Sequence, residues 1–296
     1  MKHAPKIKTK FKKFSVYLLK FIFIASFLFL LVWFNSKETS FNVNKLSRKE
    51  KKDLNVFLEY LLLREGGIYV LFGNKPIVFS SLCIISRERL RKNSENIPAI
   101  IKEKANRCKI KLKFKIEGWE KVQKHFKIKG KYLLFFKKHE EAGIADVYFI
   151  NKANLISVLN EYYDIFKKRI DFDFDPLTII NEFNEDNSKF WSLVQRDIVL
   201  QGLIFGYGKT NSLLFEQWLK TDQKNKQTIE KLGFYTANNH LVDANIKVNY
   251  QNFPLPVFRS FPNDVILEKY KKERQKIIAL YRGRDPLKVT IEKLCE

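Results

Sequence analysis

The chain has 296 residues, 55 Lys+Arg against 32 Asp+Glu for a formal net charge of +23, and an apolar share of 45%. That share excludes a disordered tail, which cannot bury enough hydrophobic surface to offset the entropy of ordering. Gly (11) and Pro (8) are too scarce for collagen-like or Gly-rich low-complexity chains, and three cysteines cannot build a disulfide framework.

Lys2, Lys6, Lys8, Lys10, Lys12 and Lys13 open the chain with no acidic residue among them. A mainly apolar run from Phe14 to Phe34 follows, with Lys20 its one charged residue. Its 21 residues reach across a bilayer, for which roughly 20 are needed. Lys20 has a stem long enough to carry its ammonium toward the headgroups, and Trp33 is an interfacial anchor. A cleaved signal peptide shares this order but needs a small-x-small pair at its end, and in Val32-Trp33-Phe34-Asn35-Ser36 the small Ser36 has Phe34 two residues before it. The segments therefore read as a basic tail (1–13), a transmembrane signal anchor (14–34) and a linker (35–45). The excess of lysine before the span places the tail inside and the body outside.

Ser47 and Glu50 form a capping box that opens a helix whose apolar face carries Leu54, Phe57, Leu58, Leu61 and Leu62, and Gly66-Gly67 ends it. Ile68–Phe72 and Ile77–Ser80 read as two extended runs joined by the turn Gly73-Asn74-Lys75-Pro76. A helix of mixed charge is expected over Arg87–Arg107. Lys109, Lys111, Lys113 and Lys115 then alternate with Ile110, Leu112, Phe114 and Ile116, a strict strand period. Tyr132–Phe136 and Asp146–Ile150 predict a hairpin. Asn151 onward turns helical, with Leu155, Val158, Leu159, Tyr162 and Phe166 on one side. Asp175 caps a helix begun by Pro176. Helices are expected at 176–184, 188–203, 211–223 and 263–282, with 237–262 irregular. The fold class is α+β: a mixed part over 46–170 and a mainly helical part over 171–296.

Several motifs suggest chemistry that their surroundings do not support. Gly202–Thr210 approximates a phosphate loop, but its first glycine is one residue too early and the preceding segment is helical. It reads better as a break between helices at which Gly206 and Gly208 take positive φ. Asp171, Asp173 and Asp175 share a face if extended, yet Asp175 is needed as a cap. His3, His125, His139 and His240 lack zinc-site spacing. No Gly-x-Ser-x-Gly elbow exists, so no catalytic residue, metal ligand or cofactor is assigned. If the body lies in an oxidising compartment, Cys83 and Cys108 can bridge, leaving Cys295 over. The lysine row Lys109, Lys111, Lys113 and Lys115 reads either as a solvated edge strand or as a contact for an anionic lipid, a glycan or an acidic protein. Export argues against nucleic acid.

Two stretches, Leu63-Arg64-Glu65-Gly66-Gly67-Ile68-Tyr69-Val70-Leu71-Phe72-Gly73-Asn74-Lys75-Pro76 and Leu203-Ile204-Phe205-Gly206-Tyr207-Gly208-Lys209-Thr210-Asn211-Ser212, resemble uncharacterised membrane-anchored or exported envelope proteins of chlamydia-like intracellular bacteria. In those, a Gly-Tyr segment leads into a Leu-Phe-Gly-Asp-Lys-Pro turn, and later a leucine-rich helix ends in Gly-Tyr-Gly before an asparagine. Here Asn74 replaces the usual aspartate and Ser212 the usual alanine. The resemblance spans residues 46–290 and marks Gly73, Asn74, Lys75, Pro76, Gly206, Tyr207, Gly208 and Asn211 as signature positions. It implies a single-pass protein of the bacterial inner membrane with a periplasmic body, and it carries no catalytic residue. The expected function is a binding module. The alternative is an envelope-modifying hydrolase with a site near Gly73–Pro76 and Gly206–Asn211. An open cleft where those segments meet would favour the enzyme, and a filled junction would favour the binding module.

Overall fold

The computed structural model describes residues 43–83, 119, 123, 128, 130–139, 144–185, 187–236 and 248–296. The basic tail, the anchor, the helix expected at Arg87–Arg107 and the lysine row at 109–115 lie outside the described residues. So do His3, His125, His240 and Cys108. Among the described residues no helix is long and apolar enough to cross a membrane.

Helix α1 (Arg48–Leu58) opens on the expected capping box: Ser47 accepts from the Glu50 N–H, and Glu50 accepts from the Ser47 N–H. It runs into a π-helical turn, Glu59–Arg64, and stops where Gly66 takes φ +79°. Ile68–Phe72 is a helix, α2, and not the extended run expected from its sequence. The apolar run Ile68–Leu71 is buried on every side, so it carries no alternation that separates strand from helix.

Strand β1 (Ile77–Cys83) follows, and β2 (Tyr132–His139) and β3 (Ile144–Asn151) form the expected hairpin. The sheet order is β1-β3-β2, antiparallel throughout, with Tyr132 opposite Asn151 and Ile77 opposite Ile150. Alternation along the strands divides the sheet into two faces. Phe136 and Phe149 look toward the first helical segment, where Phe57 lies 5.8 Å from the Phe136 ring and Gly67 abuts Phe149. Ile150, with Leu133, Phe135 and Tyr148, looks the other way.

That second face is covered by α3 (Lys152–Glu161), α4 (Tyr163–Ile170), α5 (Pro176–Asn181), α6 (Lys189–Val194) and α7 (Ile198–Ile204). Ile77 and Ile150 join Leu155, Leu159, Phe166, Trp191, Leu200 and Leu203 in one core. Asp175 accepts from Leu177 and Thr178 with Pro176 at the first helical position, as expected. The helix expected over 188–203 is two helices, because Asp197 caps a new one by accepting from Val199 and Leu200. Helix α8 (Lys209–Lys220) is followed by α9 (Gln223–Lys231), which periodicity alone did not indicate. Two short strands, β4 (Tyr235–Thr236) and β5 (Arg259–Ser260), pair antiparallel. The chain closes with α10 (Val265–Tyr281) and α11 (Pro286–Leu294), whose Tyr281 and Thr290 hydroxyls are hydrogen-bonded at 2.9 Å. The described body is thus α+β, with a three-stranded sheet between helical layers and a two-stranded one beside the later helices.

Candidate functional site

The Gly73–Pro76 turn and the Gly206–Asn211 segment meet. Gly73 ends α2, and the Tyr69 carbonyl accepts from both Gly73 N–H (3.0 Å) and Lys75 N–H (3.2 Å), which folds the turn back. The Asn154 side chain donates to the carbonyls of Gly73 and Lys75, tying the turn to α3. Asn74 donates to Glu273 of α10 at 2.7 Å. These bonds aim the Lys75 side chain at the end of α7, where Nζ donates to the Phe205 carbonyl at 2.6 Å. That carbonyl belongs to the last helical turn, where oxygens lack an intrahelical partner and favour a cation.

Lys75 is only 3% exposed, and its Nζ also lies 4.8 Å from the Tyr207 ring centre. No carboxylate pairs with it among the described residues, so desolvation lowers its amine to about 7. Burial pushes the Tyr207 phenol up to about 12.

Gly206 (φ +77°) and Gly208 (φ +79°) take the positive φ that the sequence assigns them. A Cβ on Gly206 would stand 2.6 Å from Tyr270 Oη and 2.9 Å from Pro76 Cδ, so the segments touch without space between them. Tyr270 donates to the Gly206 carbonyl at 3.0 Å, and Asn211 donates to the Tyr207 carbonyl and to Asp264, the cap of α10. The junction is therefore a filled clasp joining α2, α7, α8 and α10. Lys209, the lysine of the near-miss phosphate loop, is exposed on the first turn of α8.

A concave surface lies on the far side of Tyr207. Helices α7 and α8 and the segment entering β5 enclose a groove of about 400 Å³ lined by Tyr207, Phe215, Trp218, Val257, Phe258 and Arg259, among others. Ser212 donates to the Gly208 carbonyl at 2.8 Å, so its hydroxyl is satisfied within its own helix. Tyr207 stacks on Phe258 at 5.0 Å, and Trp218 on Phe215 at 5.8 Å. The Arg259 guanidinium covers Trp218 at 3.8 Å while donating to Glu230 at 2.8 Å, and Lys226 Nζ stands 4.9 Å from the same ring. Sequence reasoning touched this groove through Gly202, Tyr207, Asn211 and Ser212, none of which it read as a groove wall. Phe215 and Trp218 look like an ordinary apolar helix face, and Phe258 falls in a stretch without periodicity.

Two other clusters hold titratable groups that the sequence singles out. On the sheet, Asp146 accepts from Ser81 (2.6 Å) and contacts His139 Nε2 (3.0 Å). The carboxylate sits between the hydroxyl and the imidazole, so the histidine is not placed to take a proton from the serine, as nucleophilic catalysis requires. Asp173 pairs with Lys167 and Tyr163, while Asp175 caps α5, so the three aspartates of 171–175 do not converge. Among the described residues no group of three or more His, Cys, Asp or Glu side chains could hold a metal ion.

Comparison with protein-family models, curated proteins and solved structures finds no match.

Proposed function

We propose that this chain is a membrane-tethered binding module of a bacterial envelope whose recognition element is the groove between α7, α8 and β5. The apolar run 14–34 is the tether, the body is periplasmic, and the lysine row at 109–115 contacts the anionic surface beside which the tether holds it. The observation that carries the reading is the groove itself, concave and apolar, with a size in the range of small-ligand sites. The clasp holds its walls: Tyr207 and Asn211 line the groove on one side and are fixed by Lys75 and Asp264 on the other.

The competing reading is an envelope-modifying hydrolase with its site near Gly73–Pro76 and Gly206–Asn211. It draws support from the lowered amine of Lys75. The filled contact between Gly206, Pro76 and Tyr270 leaves a substrate no room there, which favours binding in the neighbouring groove.

The test uses the full chain in nanodiscs with a neutral photoreactive alkyl diazirine. Mass spectrometry of the digest is expected to find label on peptides containing Phe215, Trp218 and Phe258. Val257→Trp, which fills the groove from a half-exposed position, should lose that label. Label confined to residues 14–34, or unchanged by Val257→Trp, would overturn the reading.

A further inference from the structure

The chemistry around Trp218 narrows the occupant, on the premise that the groove is the binding element. We infer that the groove holds a single-chain aliphatic carboxylate, a long-chain fatty-acid anion, with its tail among Tyr207, Phe215, Val257 and Phe258 and its head beside Arg259 and Lys226.

The tail follows from what the walls cannot offer. The Asn211 amide is committed to the Tyr207 carbonyl and Asp264, and the Ser212 hydroxyl to the Gly208 carbonyl. Trp218 Nε1 has no partner among the described residues but is buried away from the groove surface, so a polar ligand body would lose its hydrogen bonds to water and regain few. The ring faces are also in use. Tyr207 lies against Phe258 and under Lys75 Nζ, while Trp218 carries the Arg259 guanidinium and stacks on Phe215. Sugars and nucleobases need open aromatic faces. A flexible aliphatic chain needs only apolar surface, and about 400 Å³ suits one chain better than the two of a phospholipid.

The head follows from charge. Arg259 and Lys226 stand over the same indole, and the carboxylate of Glu230 engages one guanidinium nitrogen of Arg259. Among the described residues, these two cations against one anion leave a net single positive charge at this end of an apolar groove. A monoanion complements it. Among the described residues Arg259 donates through Nη1 alone, which leaves Nη2 and Nε for a carboxylate, a planar pairing that favours arginine.

The test compares a photoreactive diazirine fatty acid with its methyl ester, on the full chain in phosphatidylcholine nanodiscs. Labelling of groove peptides is normalised to labelling of residues 14–34. The acid is expected to label the groove about tenfold more than the ester in the wild type, and Lys226→Gln and Arg259→Gln should each reduce that preference. The wild-type comparison needs no substitution, so misfolding of an arginine variant leaves it intact. Equal labelling by acid and ester overturns the anionic head while the groove stands. Absence of groove labelling by either probe overturns the binding element itself.

Discussion

Lys75 Nζ lies 2.6 Å from the carbonyl oxygen of Phe205, 130 residues away in sequence, and this contact joins the Gly73–Pro76 turn to the break at Gly206–Asn211. A lysine buried without a carboxylate carries a desolvation cost whenever it is charged. Its amine is lowered to about 7, whereas an unfolded lysine titrates near ~10.4. Between those values the unfolded chain holds the extra proton, so stability rises with pH across that window and is flat below it.

Full-chain unfolding by urea between pH 7 and 9.5 should therefore show the wild type gaining on Lys75→Met by about 1 kcal/mol per pH unit, within the ~1.4 kcal/mol limit for a single group. At pH 7 the methionine variant should match or exceed the wild type, because it removes the charge and keeps most of the volume. Parallel curves for the two proteins would show that Lys75 keeps an ordinary affinity for its proton. The comparison stops below pH 10, where the buried tyrosines, Tyr207 among them, contribute the opposite slope.

Gly206 and Gly283 separate backbone strain from crowding. Both have positive φ, +77° and +69°, but a Cβ on Gly206 meets Tyr270 and Pro76 while one on Gly283 meets nothing within 4 Å. Gly283→Ala should cost about 1–2 kcal/mol for the left-handed backbone alone. Gly206→Ala adds overpacking and should cost about 3 kcal/mol or more. Thermal unfolding of the two variants checks the difference, and equal shifts would mean that the clasp is looser than the contact distances indicate.

Local chemistry was legible in the sequence and long-range partnership was not. Ser47 with Glu50, Asp175 with Pro176, and the glycines at 206 and 208 each act within a few residues, so their types declare their roles. The hairpin from Tyr132 to Asn151 was equally readable from its two apolar runs and the polar loop between them. Ile68–Phe72 was misread because complete burial erases the periodicity that separates strand from helix. Asp197 was overlooked as a cap because the apolar pattern runs on through it. The proximity of Lys75 to Phe205, and of Trp218 to Arg259, depends on how helices cross, which no local pattern encodes. The groove was invisible for that reason.

Arg169 is a second long-range tie. It donates to Asp197 at 2.7 Å and to both oxygens of Glu216, joining α4 to the start of α7 and to α8, whose Phe215 and Trp218 line the groove. Arg169 and Lys220 hold the Glu216 carboxyl down at about 2. A depressed carboxylate contributes stability above its unfolded value near ~4.3, and that contribution disappears as pH falls toward its folded value. Arg169→Met should therefore remove stability at neutral pH and move acid unfolding to higher pH. An acid transition at an unchanged midpoint would mean that Glu216 is not held by this arginine.

Glu273 explains why an asparagine and not an aspartate suits position 74. The Asn74 amide donates to Glu273 Oε1 at 2.7 Å, and the Glu273 side chain is 9% exposed. Asn74→Asp would set a second carboxylate against the first in a poorly solvated place. One of the pair must then hold a proton or the contact must open. The folded-state affinity for that proton rises, so the variant should be nearly as stable as the wild type below pH 4 and lose stability as pH rises above it. By pH 7 the deficit should reach about 2 kcal/mol, the scale of a buried charged group left without its partner. Adding Glu273→Gln restores an amide-to-carboxylate pair with the roles exchanged and should recover most of the loss. A double-mutant cycle at pH 4 and pH 7 measures the coupling. A cycle that shows none at pH 7 would place the two side chains farther apart in solution than in the clasp described here.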